Sequence, residues 1–150
     1  MEFNSQNINR FLFFKLPSAY WSGVRVKTID EKSCQVTVRF KWFNQNPFKS
    51  MYFAVQAMAA ELSTGALVMR EIQRSGKKVS MLVANNNGTY TKKAVGTITF
   101  TCEEAHKVKE AIEKTIHTGE SQQFWLKSTG IDEHGDQVSV MNFEWTVKAK

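Results

Sequence analysis

Glu61 is the residue of this chain with the clearest potential for chemistry, because it is the only charged residue between Met51 and Met69. A carboxylate in so apolar a stretch is destabilised unless it is paired, protonated or open to a polar pocket. Glu61 could therefore act as a general base or a nucleophile. It could equally be structural, bonded to the hydroxyls of Ser63 or Thr64 or paired across a dimer interface, since perturbed carboxylates indicate function only statistically.

The loop before this apolar stretch carries polar side chains that could bind an anion or polarise a carbonyl. They are Asn44, Gln45, Asn46 and Ser50. The free N–H groups and the dipole at a helix N-terminus favour negative charge, so such a loop can form part of a binding site. The simpler alternative is that Ser50 caps the helix and the asparagines form a turn.

The histidines and cysteines form no recognisable catalytic or metal-binding motif. His106 and His117 lie eleven positions apart, too far for one metal, and a hairpin is the commoner interpretation of the acidic turn around His134. Cys34 and Cys102 have no CxxC spacing, so we expect two reduced, buried thiols. We expect no metal site and no separate cofactor.

The charge of the chain favours an anionic partner without identifying one. The formal net charge is +6, from 20 Lys and Arg against 14 Asp and Glu. These basic residues are scattered rather than gathered in one stripe, which argues against a nucleic-acid partner. The run Phe11–Phe14 is too short for a signal peptide, and polar residues within 51–69 argue against a membrane span, so we expect a cytoplasmic protein.

Hydrophobic periodicity predicts one α+β domain over residues 1–150. A helix at about 51–70 is apolar nearly all round and should be buried in the core. Amphipathic helices are predicted from Asn4 to Lys15 and at about 103–117. The polar run Asn85–Gly88 indicates a tight turn. The predicted strands are Val24–Ile29, Cys34–Trp42, Val79–Ala84, Tyr90–Cys102, Gln122–Ile131 and Val138–Val147.

Two stretches resemble a known family. Residues 39–65, RFKWFNQNPFKSMYFAVQAMAAELSTG, resemble the hotdog thioesterase pattern N-x-x-G-T-x-H-G-G-A followed by a helix that bears Glu or Asp. The similarity is closer to the DUF4442 branch, relatives of the phenylacetate-pathway thioesterases, whose F-x-K-P-A-x-G turn resembles residues 90–96. The resemblance implies a hotdog fold, with a curved antiparallel sheet wrapped around the central helix. It also implies that 85–88 lie within a long third strand, as a bulge rather than a turn.

The resemblance implies a role for each residue at a motif position. Asn46 takes the place of the motif asparagine and Ser50 that of the threonine. Glu61 takes the place of the acid that acts as general base or nucleophile on a thioester. The amides of Tyr52 and Phe53 would stabilise the oxyanion, and Asn46 would orient Glu61 or the substrate.

The remaining implied contacts are to the substrate. The resemblance implies that Thr64 contacts the substrate. Coenzyme A enters as part of the thioester, and its phosphates would meet basic side chains, namely Arg70, Arg74, Lys77 and Lys92.

The chain departs from the family pattern where the substrate carbonyl would approach the backbone. Lys49 replaces a glycine, Tyr52 replaces a histidine, and Phe53 and Ala54 replace two glycines that allow this close approach. The sequence therefore predicts a protein that hydrolyses or binds acyl-CoA thioesters and leaves open whether it is an enzyme. The alternatives are a non-catalytic acyl-CoA or lipid-binding module, and a helix-on-sheet fold that binds unrelated ligands.

The expected protein partner is a second copy of the chain, in a homodimer or in a homotetramer built as a dimer of dimers. The family resemblance implies this assembly. Bulky apolar pairs on predicted strands, Trp42-Phe43 and Phe124-Trp125, also need a second cover.

Overall fold

Four helices and six strands make up the chain, and the computed structural model describes all of residues 1–150. The helices are α1 (Ser5–Lys15), α2 (Pro17–Trp21), α3 (Phe53–Ser75) and α4 (Ala105–Thr118). The strands are β1 (Arg25–Ile29), β2 (Cys34–Arg39), β3 (Val79–Tyr90), β4 (Thr97–Cys102), β5 (Gln122–Ile131) and β6 (Gln137–Ala149). The predicted α+β class and the predicted order of helices and strands are confirmed, with α2 as an addition.

The six strands form one antiparallel sheet in the order β1-β2-β4-β5-β6-β3. At one edge, β3 pairs with β6 along its whole length, with a bulge between Val83 and Asn85. Residues 85–88 therefore lie inside a strand, and the tight turn predicted from their composition is wrong. Pairing with β6 outweighs the low strand propensity of three asparagines and a glycine. The long third strand that the family resemblance implies is confirmed, but the bulge lies just before residues 85–88 rather than at them.

The sheet wraps around α3, which packs against β1, β2, β4, β5 and β6. Most residues of this helix from Val55 to Val68 are buried, which confirms the predicted central helix. It begins two residues later than predicted and continues to Ser75, because Gly76 adopts φ 66° and ends the helix in a left-handed conformation. No helix of the chain is both long enough and apolar enough to cross a bilayer.

The two predicted amphipathic helices are also confirmed. Asn4 caps α1, since its Oδ1 accepts a hydrogen bond of 2.9 Å from the N–H of Asn7. The second helix, α4, ends at Gly119, which adopts the left-handed conformation with φ 73°. Cys34 and Cys102 face each other across β2 and β4 and are buried and unbonded, as predicted.

The segment after β2 is not the strand that its alternating pattern predicts. β2 ends at Arg39, and Trp42–Asn44 form one turn of 3-10 helix in which the Trp42 side chain is 81% exposed. Buried Asn44 organises this turn. Its Nδ2 donates to the carbonyls of Ser22 (2.9 Å) and Arg39 (2.8 Å), and its Oδ1 accepts from the N–H of Lys41 (2.9 Å).

The predicted strand from Tyr90 to Cys102 is divided in two. β3 ends at Tyr90 and β4 begins at Thr97, where the carboxylate of Glu133 accepts the backbone N–H at 2.8 Å. Residues 91–96 form a loop that returns toward the N-terminal end of α3, where the backbone N–H of Met51 bonds to the carbonyl of Ala94.

Candidate functional site

A cavity of about 690 Å³ opens at the N-terminal end of α3. Its walls come from residues 45–48 and 50–53, from Gln56 on the first turns of α3, and from residues 90–94. Five of the predicted site residues line it: Asn46, Ser50, Tyr52, Phe53 and Lys92. The motif loop and the turn after β3, both identified from the sequence, therefore meet at one place.

Asn46 shapes the loop that forms one wall. Its Oδ1 accepts hydrogen bonds from the N–H groups of Phe48 (2.9 Å) and Ser50 (3.3 Å), and its Nδ2 lies 3.0 Å from the Ser50 hydroxyl. The prediction that Ser50 caps the helix is wrong, because Tyr52 occupies the cap position and makes no side-chain cap bond. Asn46 and Ser50 instead form hydrogen bonds with each other within the loop.

The first turn of α3 presents two backbone N–H groups without acceptors. The N–H of Tyr52 donates to the carbonyl of Asn44 at 2.9 Å, so it is not available to a ligand. The N–H groups of Phe53 and Ala54 are the first two of the helix and find no acceptor in the chain. The donor pair at this end is therefore Phe53 and Ala54, rather than the predicted Tyr52 and Phe53.

Glu61 does not line this cavity. It lies eight residues after Phe53 on α3, about 12 Å further along the helix axis at 1.5 Å per residue. Its carboxylate is half-buried and makes no hydrogen bond or ion pair. Burial raises the pKa of Glu61 to about 7, which is where a general base works best at neutral pH.

The hydroxyls beside Glu61 do not stabilise its carboxylate. Ser63 Oγ donates to the carbonyl of Ala60 at 2.7 Å and also contacts the Ser128 hydroxyl. Thr64 Oγ1 donates to the backbone carbonyl of Glu61 at 2.8 Å. The structural alternative, in which these hydroxyls bind the carboxylate, is therefore not what the chain adopts.

Thr64 and Gly65 form the surroundings of Glu61 together with Trp145, a buried residue of β6. Trp145 Nε1 donates to Thr64 Oγ1 at 2.9 Å. A Cβ atom on Gly65 would lie 3.2 Å from the Trp145 ring and 3.3 Å from Glu61 Oε1. Thr64 is thus a buried link between α3 and β6, about one turn from the carboxylate.

One stripe of α3 is left incompletely covered by the sheet. Its members, at helical spacing from the N-terminus of α3, are Phe53, Ala54, Ala57, Met58 and Glu61. Two of the five are alanines, which let another backbone approach closely. The stripe joins the free amides to the carboxylate along one face of the helix.

The predicted phosphate-binding residues lie at opposite ends of the molecule. Arg70, Arg74 and Lys77 belong to the C-terminal end of α3 and the turn after it, and Arg74 pairs with Glu71 at 3.8 Å. Lys92 lies at the cavity, where its Nζ contacts carboxylate oxygens of Asp132 and Asp136 at 2.7 Å each. A single chain does not gather these four side chains around one ligand.

Two residues at the cavity were not identified as site residues from the sequence. Lys93 lines the wall and donates from Nζ to the carbonyl of Phe48 at 3.3 Å. Gln56 is buried on the cavity wall and bonds to Ser139. The available signal for Gln56 was a lone amide in an apolar helix, five residues before the lone carboxylate.

Comparison with known proteins agrees with this architecture. A family model described as "Domain of unknown function (DUF4442)" matches residues 5–147. Among curated proteins, none matches the chain significantly.

Several solved structures have the same fold. A Pseudomonas aeruginosa protein described as a probable thioesterase is 19% identical, with a TM-score of 0.79 over 97% of this chain and 96% of that one. A thioesterase from Haemophilus influenzae is 16% identical, with a TM-score of 0.72 over 99% and 93%. A Chlorobaculum tepidum protein of unknown function is 14% identical, with a TM-score of 0.84 over 97% and 94%. At such identities the likeness establishes the fold alone, and the predicted hotdog fold is confirmed.

Proposed function

The chain belongs to the DUF4442 family and has the hotdog fold, and from this premise we propose that it hydrolyses acyl-CoA thioesters with Glu61 as the general base. The observation that carries the proposal is the state of Glu61. This acid is half-buried, has no partner in the chain and has a pKa of about 7. A structural carboxylate would be paired or fully solvated instead.

The active site we propose lies between two copies of the chain. Glu61 is about 12 Å along the helix from the free amides of Phe53 and Ala54, too far for both to act on one carbonyl. If two α3 helices cross in antiparallel orientation near Ala57, Glu61 of one copy lies opposite the amides of the other. The incompletely covered stripe from Phe53 to Glu61 is the face available for that crossing.

The free edge of the sheet supports the same assembly. β3 is an edge strand of twelve residues, and its side chains are exposed along most of its length, including Leu82. An unpaired edge of this length is a template for another strand. Antiparallel pairing of two β3 edges would continue the sheet and bring the two α3 helices side by side.

The proposed reaction uses one water molecule. The Glu61 carboxylate removes a proton from the water as its oxygen attacks the thioester carbonyl carbon. The resulting oxyanion accepts hydrogen bonds from the N–H groups of Phe53 and Ala54 of the partner subunit, worth about 3 kcal/mol per donor. The carbon–sulfur bond then breaks, and the proton held by Glu61 passes to the departing thiolate, which leaves a free acid, coenzyme A and a regenerated carboxylate.

Basic residues from both copies would contact the coenzyme A phosphates. Antiparallel helices bring the C-terminal part of one α3, with Arg70, Arg74 and Lys77, toward the cavity end of the other chain. Lys92 and Lys93 lie at that cavity. A site of this kind gathers, from two subunits, cations that one chain keeps apart.

Glu61→Gln and Glu61→Ala test the role of the acid. The assay is release of free thiol from a panel of acyl-CoA thioesters. Loss of a general base should lower kcat/KM by about 10²- to 10⁴-fold. Glu110→Gln, an equivalent change on the exposed face of α4, should have no effect. Wild-type rates in Glu61→Gln would remove this residue from the mechanism.

Complementation between two inactive variants tests the shared site. Phe53→Pro removes one amide donor and suits the first position of a helix, and Tyr52 before it already has the extended conformation that precedes proline. Mixed dimers of Phe53→Pro with Glu61→Gln would contain one intact site and regain part of the activity. Mixtures that form mixed dimers but stay inactive would contradict a site shared between chains.

A second candidate function is acyl-CoA binding without hydrolysis. It is favoured by the side chains at the amide donors, since Tyr52, Phe53 and Ala54 replace smaller or catalytic residues of the family pattern, and Phe53 packs edge-on against Tyr52 with ring centroids 5.0 Å apart. Native mass spectrometry that finds retained acyl-CoA, together with no turnover of the same thioester, would favour this function over the enzyme.

A further inference from the structure

Gln56 carries a buried amide whose donor end has no partner in the chain. The side chain is 4% exposed and lies on the wall of the cavity at the N-terminus of α3. Its Oε1 accepts a hydrogen bond of 2.9 Å from the Ser139 hydroxyl. Its Nε2 donates to no protein oxygen, and because every fully buried polar side-chain atom of the chain has a partner, this nitrogen must be reached through the cavity.

Ser139 fixes the direction in which this amide points. It is fully buried on β6, the strand that pairs with β3 beside the cavity. Because its hydroxyl holds Oε1, the NH₂ group is turned away from β6 and toward the open space. Side chains on a helix lean toward its N-terminus, so the Gln56 amide also leans toward the free N–H groups of Phe53 and Ala54.

The distance between these two sets of donors suits one small acyl group. Gln56 lies three residues after Phe53, about 4.5 Å further along the axis of the same helix. A thioester whose carbonyl oxygen binds the helix amides would place the next few atoms of its acyl chain beside Gln56. An alkyl chain there would displace water from Nε2 without offering an acceptor, which is unfavourable for a buried amide.

We propose that Gln56 is a specificity-determining residue that donates a hydrogen bond to an oxygen on the acyl group, so that the site favours acyl groups with a second carbonyl, such as 3-oxoacyl groups, over plain alkyl chains. This inference rests on the proposed function and names the substrate class of the same site. Tyr90 is the rival donor, because it also lines the cavity and its hydroxyl forms no hydrogen bond in the chain.

Binding of two non-hydrolysable thioethers, 3-oxohexyl-CoA and hexyl-CoA, tests the proposal by calorimetry. Neither has a thioester carbonyl, so their difference reports the second oxygen alone. The wild type should prefer the oxo compound by about 5- to 150-fold, the range expected for pairing a buried donor. Gln56→Met, which keeps the length and volume of the side chain, should lose most of this preference, and Tyr90→Phe should retain it.

Ser139→Ala provides a second variant that leaves Gln56 in place. Without the serine the amide is free to rotate, so the preference should fall between those of the wild type and Gln56→Met. Near-ultraviolet circular dichroism shows whether each variant keeps its fold. Equal affinities for the two compounds in the wild type, or a preference that survives in Gln56→Met, would overturn the inference.

The failure of this inference is distinguishable from failure of the proposed function. If thioesters are hydrolysed but the two thioethers bind equally, only the role of Gln56 is wrong. If no thioester is hydrolysed and neither thioether binds, the proposed function is wrong and the role of Gln56 falls with it.

Discussion

Replacing Glu61 by glutamine should stabilise the protein at neutral and alkaline pH and leave its stability at acidic pH almost unchanged. Burial raises the pKa of Glu61 from its ordinary value of 4.5 to about 7 in the folded chain. Between these two values the folded chain holds a proton that the unfolded chain has released. The free energy of unfolding therefore falls as the pH rises from about 4.5 to about 7 and changes no further above that range.

The size of the effect follows from the two pKa values. At 1.36 kcal/mol per pKa unit, the change from 4.5 to about 7 corresponds to about 3 kcal/mol. Glutamine has the shape of protonated glutamate and does not titrate. The difference in unfolding free energy between Glu61→Gln and the wild type should thus grow from near zero at pH 4 to about 3 kcal/mol at pH 8.

Urea denaturation at intervals from pH 4 to pH 8 measures this difference, in which the titration of all other groups cancels. Glu110→Gln, whose carboxylate is exposed on α4, should give a difference that does not vary with pH. A Glu61→Gln curve parallel to that of the wild type over the whole range would show that the carboxylate is well solvated and titrates with the same pKa in the folded and unfolded chain. The basis for regarding Glu61 as the general base would then disappear.

Three further predictions concern the backbone that builds the cavity and the core. Lys49 has φ 60°, so Lys49→Gly should raise the free energy of unfolding by about 0.5–1 kcal/mol and Lys49→Val should lower it, as measured by urea midpoints. Asn44→Ala removes one hydrogen bond from each of three backbone groups and should cost about 1–3 kcal/mol or more, with faster amide hydrogen exchange at Lys41 than in the wild type. A Cβ on Gly130 would lie 2.5 Å from the Phe100 ring, so Gly130→Ala should lower the melting temperature by the equivalent of about 1–3 kcal/mol, and an unchanged value would mean that the ring moves aside freely.

Local periodicity predicted most of the fold because the central helix and most of the strands bury one consistent set of side chains. It failed where the hydrogen bonds of one side chain, Asn44, set the path of the backbone. The alternation of β2 continues through Phe40 to Trp42, yet the chain turns after Arg39, where Asn44 bonds to its near neighbours and also to Ser22, 22 positions earlier. No window of neighbouring residues contains that bond.

Candidate site residues could likewise be chosen from the sequence only where the signal is local. The lone acid and the motif loop are visible in the sequence, so Glu61 and Asn46 could be chosen as candidates. The sequence could not show whether the hydroxyls of Ser63 and Thr64 bind the Glu61 carboxylate. A hydroxyl on a helix can instead bond to the backbone carbonyl one turn back, as both of them do. The pairing of Gln56 with Ser139 spans 83 positions and depends on the completed sheet.

The separation between Glu61 and the free amides has a consequence for how the protein would behave in a cell. An isolated chain carries two incomplete halves of the proposed site, about 12 Å apart. Turnover would then follow the law of mass action for self-association and fall more steeply than protein abundance when the chain is scarce. The amount of protein made would act as a threshold for thioester breakdown, without any additional regulator.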